Sequence, residues 1–210
     1  MTKRSKNDTV GLVQLALFGA IVILIAFTPF IGYIPLGFTK ATTIHIPVII
    51  GSIILGPRRG AVLGFIFGLT SLINNTINPS LTSFVFTPFY SLGNANGNFL
   101  SLVICFVPRI LVGIVPYYTY KAFSKLKANS VISCIIAGVL GSLTNTILVM
   151  NMIYFFFGEI YGKIQGTAQN TLYSVILSVI LINGVPEAIV AAIITTFVVK
   201  AIQSARKVNL

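Results

Sequence analysis

The sequence predicts an all-α membrane protein with six transmembrane helices and both termini in the cytoplasm. Three observations carry this. Of 210 residues, 56% are hydrophobic and 8% charged, against about 25% charged in an ordinary soluble domain. The apolar residues gather into six stretches, and the basic residues gather between them. A net charge of +11 would suggest nucleic acid as the partner of a soluble chain. Here the basic residues flank apolar runs, as they do in cytoplasmic loops, so the expected contact is membrane lipid and no nucleic acid. The whole of 1–210 reads as one integral membrane domain.

The spans are expected at about 12–30, 44–55, 60–74, 98–120, 131–157 and 172–200. The first follows Met1-Thr2-Lys3-Arg4-Ser5-Lys6-Asn7-Asp8, which resembles the opening of a signal peptide. Its apolar run is long for that role and meets no small-x-small cleavage site, so it is read as a span. An even number of spans puts both termini on one side. Lys3, Arg4, Lys6, Arg58, Arg59, Lys121, Lys125, Lys127, Lys200, Arg206 and Lys207 then share that side, which assigns it to the cytoplasm. Lys40 and Lys163 fall outside.

The second span is short. Twelve helical residues rise only ~18 Å, too little for a hydrocarbon core of ~30 Å. The preceding Ile31 to Thr43 is rich in turn formers and threonine, and non-helical backbone at that depth needs protein or a hydrated cavity around it. A cavity open to the outside is therefore expected. The next outer connection, Ile77 to Gly97, is long and carries Phe84, Phe86, Phe89 and Tyr90. Both a functional lid and an aromatic belt at the membrane surface fit it. The last outer connection, Gly158 to Asn170, reads as a polar, glycine-containing loop, whereas the inner connections are short and basic.

Within the fourth span sits Arg109. A charge at bilayer depth persists where it faces a partner or a water-filled cavity, and Asp8, Glu159 and Glu187 are the only acidic residues in the sequence. Counting from the basic inner end of each span places Arg109, Glu187, His45 and Asn145 ~18–23 Å from the inner edge, within about one helical turn of one another. They can form one layer. Asn183 lies four residues before Glu187 on the same helix face, and Asn74 with Asn75 caps the outer end of the third span. Each also has a bland reading: Arg109 and Glu187 as a structural ion pair, Asn145 as a bond between helices, His45 as a satisfied buried histidine. Cys105 and Cys134 lie in different spans at different depths and read as core thiols.

Small residues mark lateral contacts. Gly60-x-x-x-Gly64-x-x-x-Gly68 is assigned to internal packing, and Ala16-x-x-x-Ala20 makes a second smooth strip.

Together these residues resemble a family. Six spans, Ile-Leu-Gly-Pro-Arg-Arg-Gly-Ala at 54–61, Pro108-Arg109-Ile110-Leu111-Val112-Gly113, Asn145-Thr146 and Pro186-Glu187 are similar to the substrate-binding S components of energy-coupling factor (ECF) vitamin transporters, most of all to pantothenate-specific members. The resemblance implies the ECF S-component fold and an outward-facing cavity closed by the connections between spans one and two and between spans three and four. It implies substrate contacts from Arg109 and Asn145, and docking of Ala16 and Ala20 on a transmembrane scaffold subunit. It also implies two cytoplasmic ATPase subunits. This chain has no G-x-x-x-x-G-K-[ST] phosphate loop, so ATP is expected to be hydrolysed by those partners, with no cofactor here. By chemistry, Glu187 could orient Arg109 or accept from a ligand hydroxyl, and Phe84 and its aromatic neighbours could shield the ligand; Asn183, His45 and Asn74 complete the candidate set.

Two other classes compete. An intramembrane enzyme needs clustered carboxylates or histidines, and one His with one mid-membrane acid supplies neither a catalytic set nor a metal site. A stand-alone secondary transporter could use Glu187 as a proton site, but no inverted repeat relates the halves. Within the family, another vitamin such as riboflavin, folate or cobalamin is the alternative to pantothenate.

Overall fold

The computed structural model describes residues 3–29, 31–36, 39–93, 95–168 and 170–208, excepting the side chains of 3–7, 33–36, 39–41 and 206–208. Phe30, Gly37, Phe38 and Asn94 of the expected span end and lids lie outside these residues. So do the side chains of Lys3, Arg4, Lys6, Lys40, Arg206 and Lys207 used in the charge count.

Helix α1 spans Lys3–Phe27, and a hairpin of β1 (Tyr33–Leu36) and β2 (Thr39–Thr42) follows, with Tyr33 opposite Thr42. Then come α2 (His45–Leu55) and α3 (Pro57–Ile77). The connection after α3 holds a 3₁₀ turn (Ser83–Val85) and a two-residue ribbon of β3 (Ser91–Leu92) and β4 (Ala95–Asn96). Helices α4 (Phe99–Val112) and α5 (Val115–Lys125) form one broken span, α6 (Ser130–Gln165) is the longest helix, and α7 (Leu172–Val179) runs through a π-helical turn (Ile180–Gly184) into α8 (Val185–Val208). Five segments, Asp8–Phe27, Pro57–Ile77, Phe99–Lys125, Ser130–Gln165 and Leu172–Ala205, are long and apolar enough to cross a membrane, and α2 is a shorter apolar helix.

Local chemistry sets the breaks. Gly56 at φ 90° ends α2, a left-handed conformation that glycine adopts without penalty, and Pro57 opens α3 where its missing N–H is not needed. Asn98 and Ser101 form a capping box that starts α4. The fourth span breaks at Gly113-Ile114 because Pro116, in the first turn of α5, cannot donate to a continuing helix. The π-turn sits just before Pro186, where a proline again leaves the helical ladder short of a donor.

Three expectations need correction. Gly158 to Asn170 is not a loop throughout, because α6 continues to Gln165. Gly158 and Gly162 there admit the Leu172 side chain of α7 at close range, and Glu159 pairs with Lys163 at i, i+4. The third and sixth spans are longer than 60–74 and 172–200, at 57–77 and 172–208. The fourth is two helices rather than one.

The glycine strip on α3 packs internally as expected. A Cβ on Gly60 would overlap the carbonyl of Gly113, one on Gly64 that of Arg109, and one on Gly68 the ring of Phe106. The three contacts run antiparallel down α4, so backbone-to-backbone approach fixes where Arg109 sits. By contrast Ala16 and Ala20 are exposed on α1, on the same side as the exposed Leu12, Val13, Leu17, Ile23, Leu24 and Phe27.

Two apolar clusters build the interior. One holds Val22, Ile49, Leu63, Phe67, Val112, Ala137 and Ala191, the other Phe84, Ile104, Val149, Ile153, Phe157 and Ile176. Along every long helix a polar residue occupies the gap between them: Arg109 between Ile104 and Val112, Asn145 between Ala137 and Val149, Glu187 between Ile176 and Ala191.

If backbone contact at Gly64 positions α4, a side chain there must push the helices apart. Gly64→Val should lower stability by about 1–3 kcal/mol, the range for overpacking. Gly93→Asn, at φ 58° with nothing near its Cβ and a residue type that tolerates that conformation, should change it by less than about 0.5 kcal/mol. Thermal or denaturant unfolding of the purified protein in detergent compares the two.

Candidate functional site

The polar gap opens into a cavity of about 750 Å³ walled by α3, α4, α6, the last helix, the end of β2 and the connection after α3. That is within the ~300–1,000 Å³ of small-molecule sites. Ser71 and Asn75 enter from α3, Arg109 from α4, and Asn145, Thr146, Val149, Met150, Ile153 and Tyr161 from α6. Val179, Asn183 and Glu187 come from the last helix, Thr42 from β2, and Ser80, Thr82 and Phe86 from the connection. Polar groups lie low in the cavity, and aliphatic and aromatic groups lie above them along α6.

Arg109 is held by its own helix. Pro108 has no N–H, so the carbonyl of Ile104 loses the donor it would otherwise meet four residues on. Arg109 Nη1 donates to that carbonyl at 2.8 Å. The guanidinium also lies 5.1 Å from the ring centre of Phe86 and 5.6 Å from that of Phe67, contacts worth ~0.5–2 kcal/mol each. Arg109 is 5% exposed, so it meets the cavity as a preset cation between two rings.

Glu187 has a different support. The backbone N–H of Thr42 donates to Oε1 at 2.6 Å and the Thr146 hydroxyl donates to Oε2 at 3.1 Å. Arg109 and Glu187 share the cavity without forming a salt bridge; among the described residues the ion pair is Lys163–Glu159 at 2.7 Å. The reading of Arg109 and Glu187 as a structural pair is therefore set aside. α6 packs against both α4 and α8, which leaves a cation on one wall and a carboxylate on another.

Four of the predicted residues, Arg109, Asn145, Asn183 and Glu187, line the cavity together. Three others do not. Asn75 lines the wall and Asn74 does not, because Asn75 continues the face of Gly64, Gly68 and Ser71. Asn74 turns away to donate to the Ala26 carbonyl of α1 at 3.5 Å. Phe84 is fully buried in the outer apolar cluster, edge-on to Phe157 at 5.8 Å, with its carbonyl accepting from Ser101 at 2.7 Å. It anchors the connection, while Phe86, two residues on, faces the cavity. His45 is buried but not in the wall; α2 is buried on all sides from His45 to Ile53, so burial there carries no direction.

Residues that sequence reasoning missed include Thr42, Ser71, Asn75, Phe86 and Tyr161. The helical spacing of Ser71 and Asn75 from the glycine strip was a usable signal. Thr42 acts through its backbone N–H and leaves no side-chain signal. The connection is tied down by Ser83, which donates to Asn75 Oδ1 at 2.8 Å, and by Thr76 and Thr87, whose hydroxyls meet at 2.8 Å.

The model of the family described as "ECF transporter, substrate-specific component" matches residues 11–199. The chain belongs to that family. It is 40% identical over 206 residues to the "Pantothenic acid transporter PanT" of Lactococcus lactis subsp. cremoris (strain MG1363), covering 97% of this chain and 98% of that protein. It is 38% identical over 117 residues to the "Pantothenate transporter PanT" of Leuconostoc mesenteroides subsp. mesenteroides, 53% of this chain and 50% of that one. The S component for biotin from an ECF-type ABC transporter, a crystal structure, superposes with a TM-score of 0.58 over 95% of both chains at 17% identity. This last likeness establishes the fold. The chain is a multi-pass membrane protein and the substrate-specific part of a transporter.

The link between Pro108 and Arg109 is open to a double-mutant cycle. Pro108→Ala gives the Ile104 carbonyl a second donor beside Arg109. In an Arg109→Met background the same change supplies the one donor that was lost. Pro108→Ala should therefore stabilise the Arg109→Met protein by about 1 kcal/mol more than it stabilises the wild type, as read from unfolding midpoints.

Proposed function

We propose that this chain is the pantothenate-binding S component of an ATP-driven importer in a bacterial plasma membrane, with both termini cytoplasmic. Its partners are a transmembrane scaffold subunit and two cytoplasmic ATPase subunits that hydrolyse the ATP. The observation that carries the ligand reading is Arg109, a preset cation in a closed, otherwise uncharged-to-acidic cavity. Near-full-length similarity to a protein named as a pantothenic acid transporter supports it.

Pantothenate fits this wall chemistry end to end. Its carboxylate pairs with Arg109 through two charge-assisted bonds. Asn145, whose Oδ1 is buried and has no hydrogen-bond partner among the described residues, accepts from the amide. The two hydroxyls lie toward Glu187 and Asn183, and the gem-dimethyl group packs on Val149, Met150 and Ile153. Ligand capture is thus a transfer of one anion from water to a site whose cation is already desolvated and positioned.

Purified protein should bind labelled pantothenate, and Arg109→Ala should weaken that binding at least about 100-fold, the scale of a lost two-point charge-assisted pair, with unfolding still cooperative. Binding of a different vitamin in place of pantothenate would discard the substrate and keep the family. For the partner reading, Ala16→Trp should abolish uptake by the assembled transporter in liposomes while leaving pantothenate binding within about twofold. Ala16 lies on the exposed face of α1, away from the cavity.

A further inference from the structure

Glu187 joins three elements that are far apart in sequence. Its oxygens accept from Thr42 at the end of the β1–β2 hairpin and from Thr146 on α6, while Glu187 itself belongs to α8. Thr42 in turn accepts the Ile44 N–H through its own hydroxyl at 3.3 Å, so the carboxylate sits where the hairpin meets α2. All three residues line the cavity.

We propose that Glu187 is a latch, a positioning residue that holds the base of the hairpin against the cavity and that a bound ligand's hydroxyls complete. A neutral acceptor could tether a strand end. A carboxylate offers about four acceptor directions, two of which Thr42 and Thr146 occupy, and the rest face the space where the ligand lies. The same group therefore reads ligand donors and holds the hairpin. Its bond to Thr42 is short and charge-assisted, and it must break before the hairpin can swing away. A bond that exists in the closed state and is absent while the site is open acts on escape of the ligand more than on its arrival.

The ligand half of this idea rests on the pantothenate reading, and the experiment separates the two. Thr42→Pro removes the donor N–H and leaves the carboxylate, Thr146 and every group on α3 and α4 unchanged. Dissociation of labelled pantothenate from the full chain, chased with unlabelled ligand, should speed up roughly 10- to 100-fold, the effect of one charge-assisted bond, with association within about threefold. Glu187→Gln keeps an acceptor for Thr42 and should give a smaller rise. A reporter cysteine in β2, Lys40→Cys, should react more slowly with a membrane-impermeant maleimide when pantothenate is bound, and Thr42→Pro should erase that protection.

Unchanged dissociation and unchanged protection in both variants would overturn the latch. If wild type does not bind pantothenate, the ligand assignment fails, and the ligand-free reporter then decides the latch alone. The same reporter decides if Thr42→Pro abolishes binding. In either case faster labelling in Thr42→Pro than in its parent supports the latch, and equal labelling removes it.

Discussion

A guanidinium at bilayer depth must be desolvated once and held there, and much of the structure around the cavity serves that requirement. Proline at 108 frees a carbonyl, Arg109 takes it, and the rings of Phe67 and Phe86 bracket the cation. The α3 glycines bring the backbone of Arg109 against a neighbouring helix, so the side chain starts from a fixed base. Because the protein meets the desolvation cost during folding, an arriving carboxylate does not have to move the cation out of water.

The acidic wall follows from the same constraint with the sign reversed. Glu187 is stabilised by a strand-end N–H and a hydroxyl instead of by Arg109. Had the two charges paired, each would have satisfied the other and the cavity would hold no preset cation for an anion. Keeping them on separate helices, with α6 between, leaves both able to receive donors or acceptors from a ligand. The two apolar clusters above and below confine this chemistry to one layer.

Much of this was legible in the sequence. Hydropathy marked the six segments, and the shared depth of Arg109, Asn145, Asn183 and Glu187 followed from counting along helices whose rise is constant. Counting failed where the backbone is irregular: Phe84 and Phe86 are two residues apart around a 3₁₀ turn, and one became core while the other faces the cavity. It also failed by one position at Asn74 and Asn75, where the face of the helix rather than its composition decides. The outer end of α6 was read as a loop because glycine was taken for a turn signal. Gly158 and Gly162 instead serve close packing, and the Glu159–Lys163 spacing spoke for helix. No composition signal could have found Thr42, since every residue but proline carries the same N–H.

The π-turn at Ile180–Gly184 sets Asn183 and Glu187 on either side of an irregularity in the helix that carries both. Such a turn accommodates one residue more than a regular helix would. Deleting one residue there would restore ordinary winding and rotate everything that follows by ~100°, carrying Glu187 off the cavity while scarcely altering the composition of the span. The wall is therefore sensitive to chain length at this point in a way that substitution tables do not capture. Insertions and deletions within five residues of the last helix are a route by which related chains could come to face a different ligand with much the same amino acids.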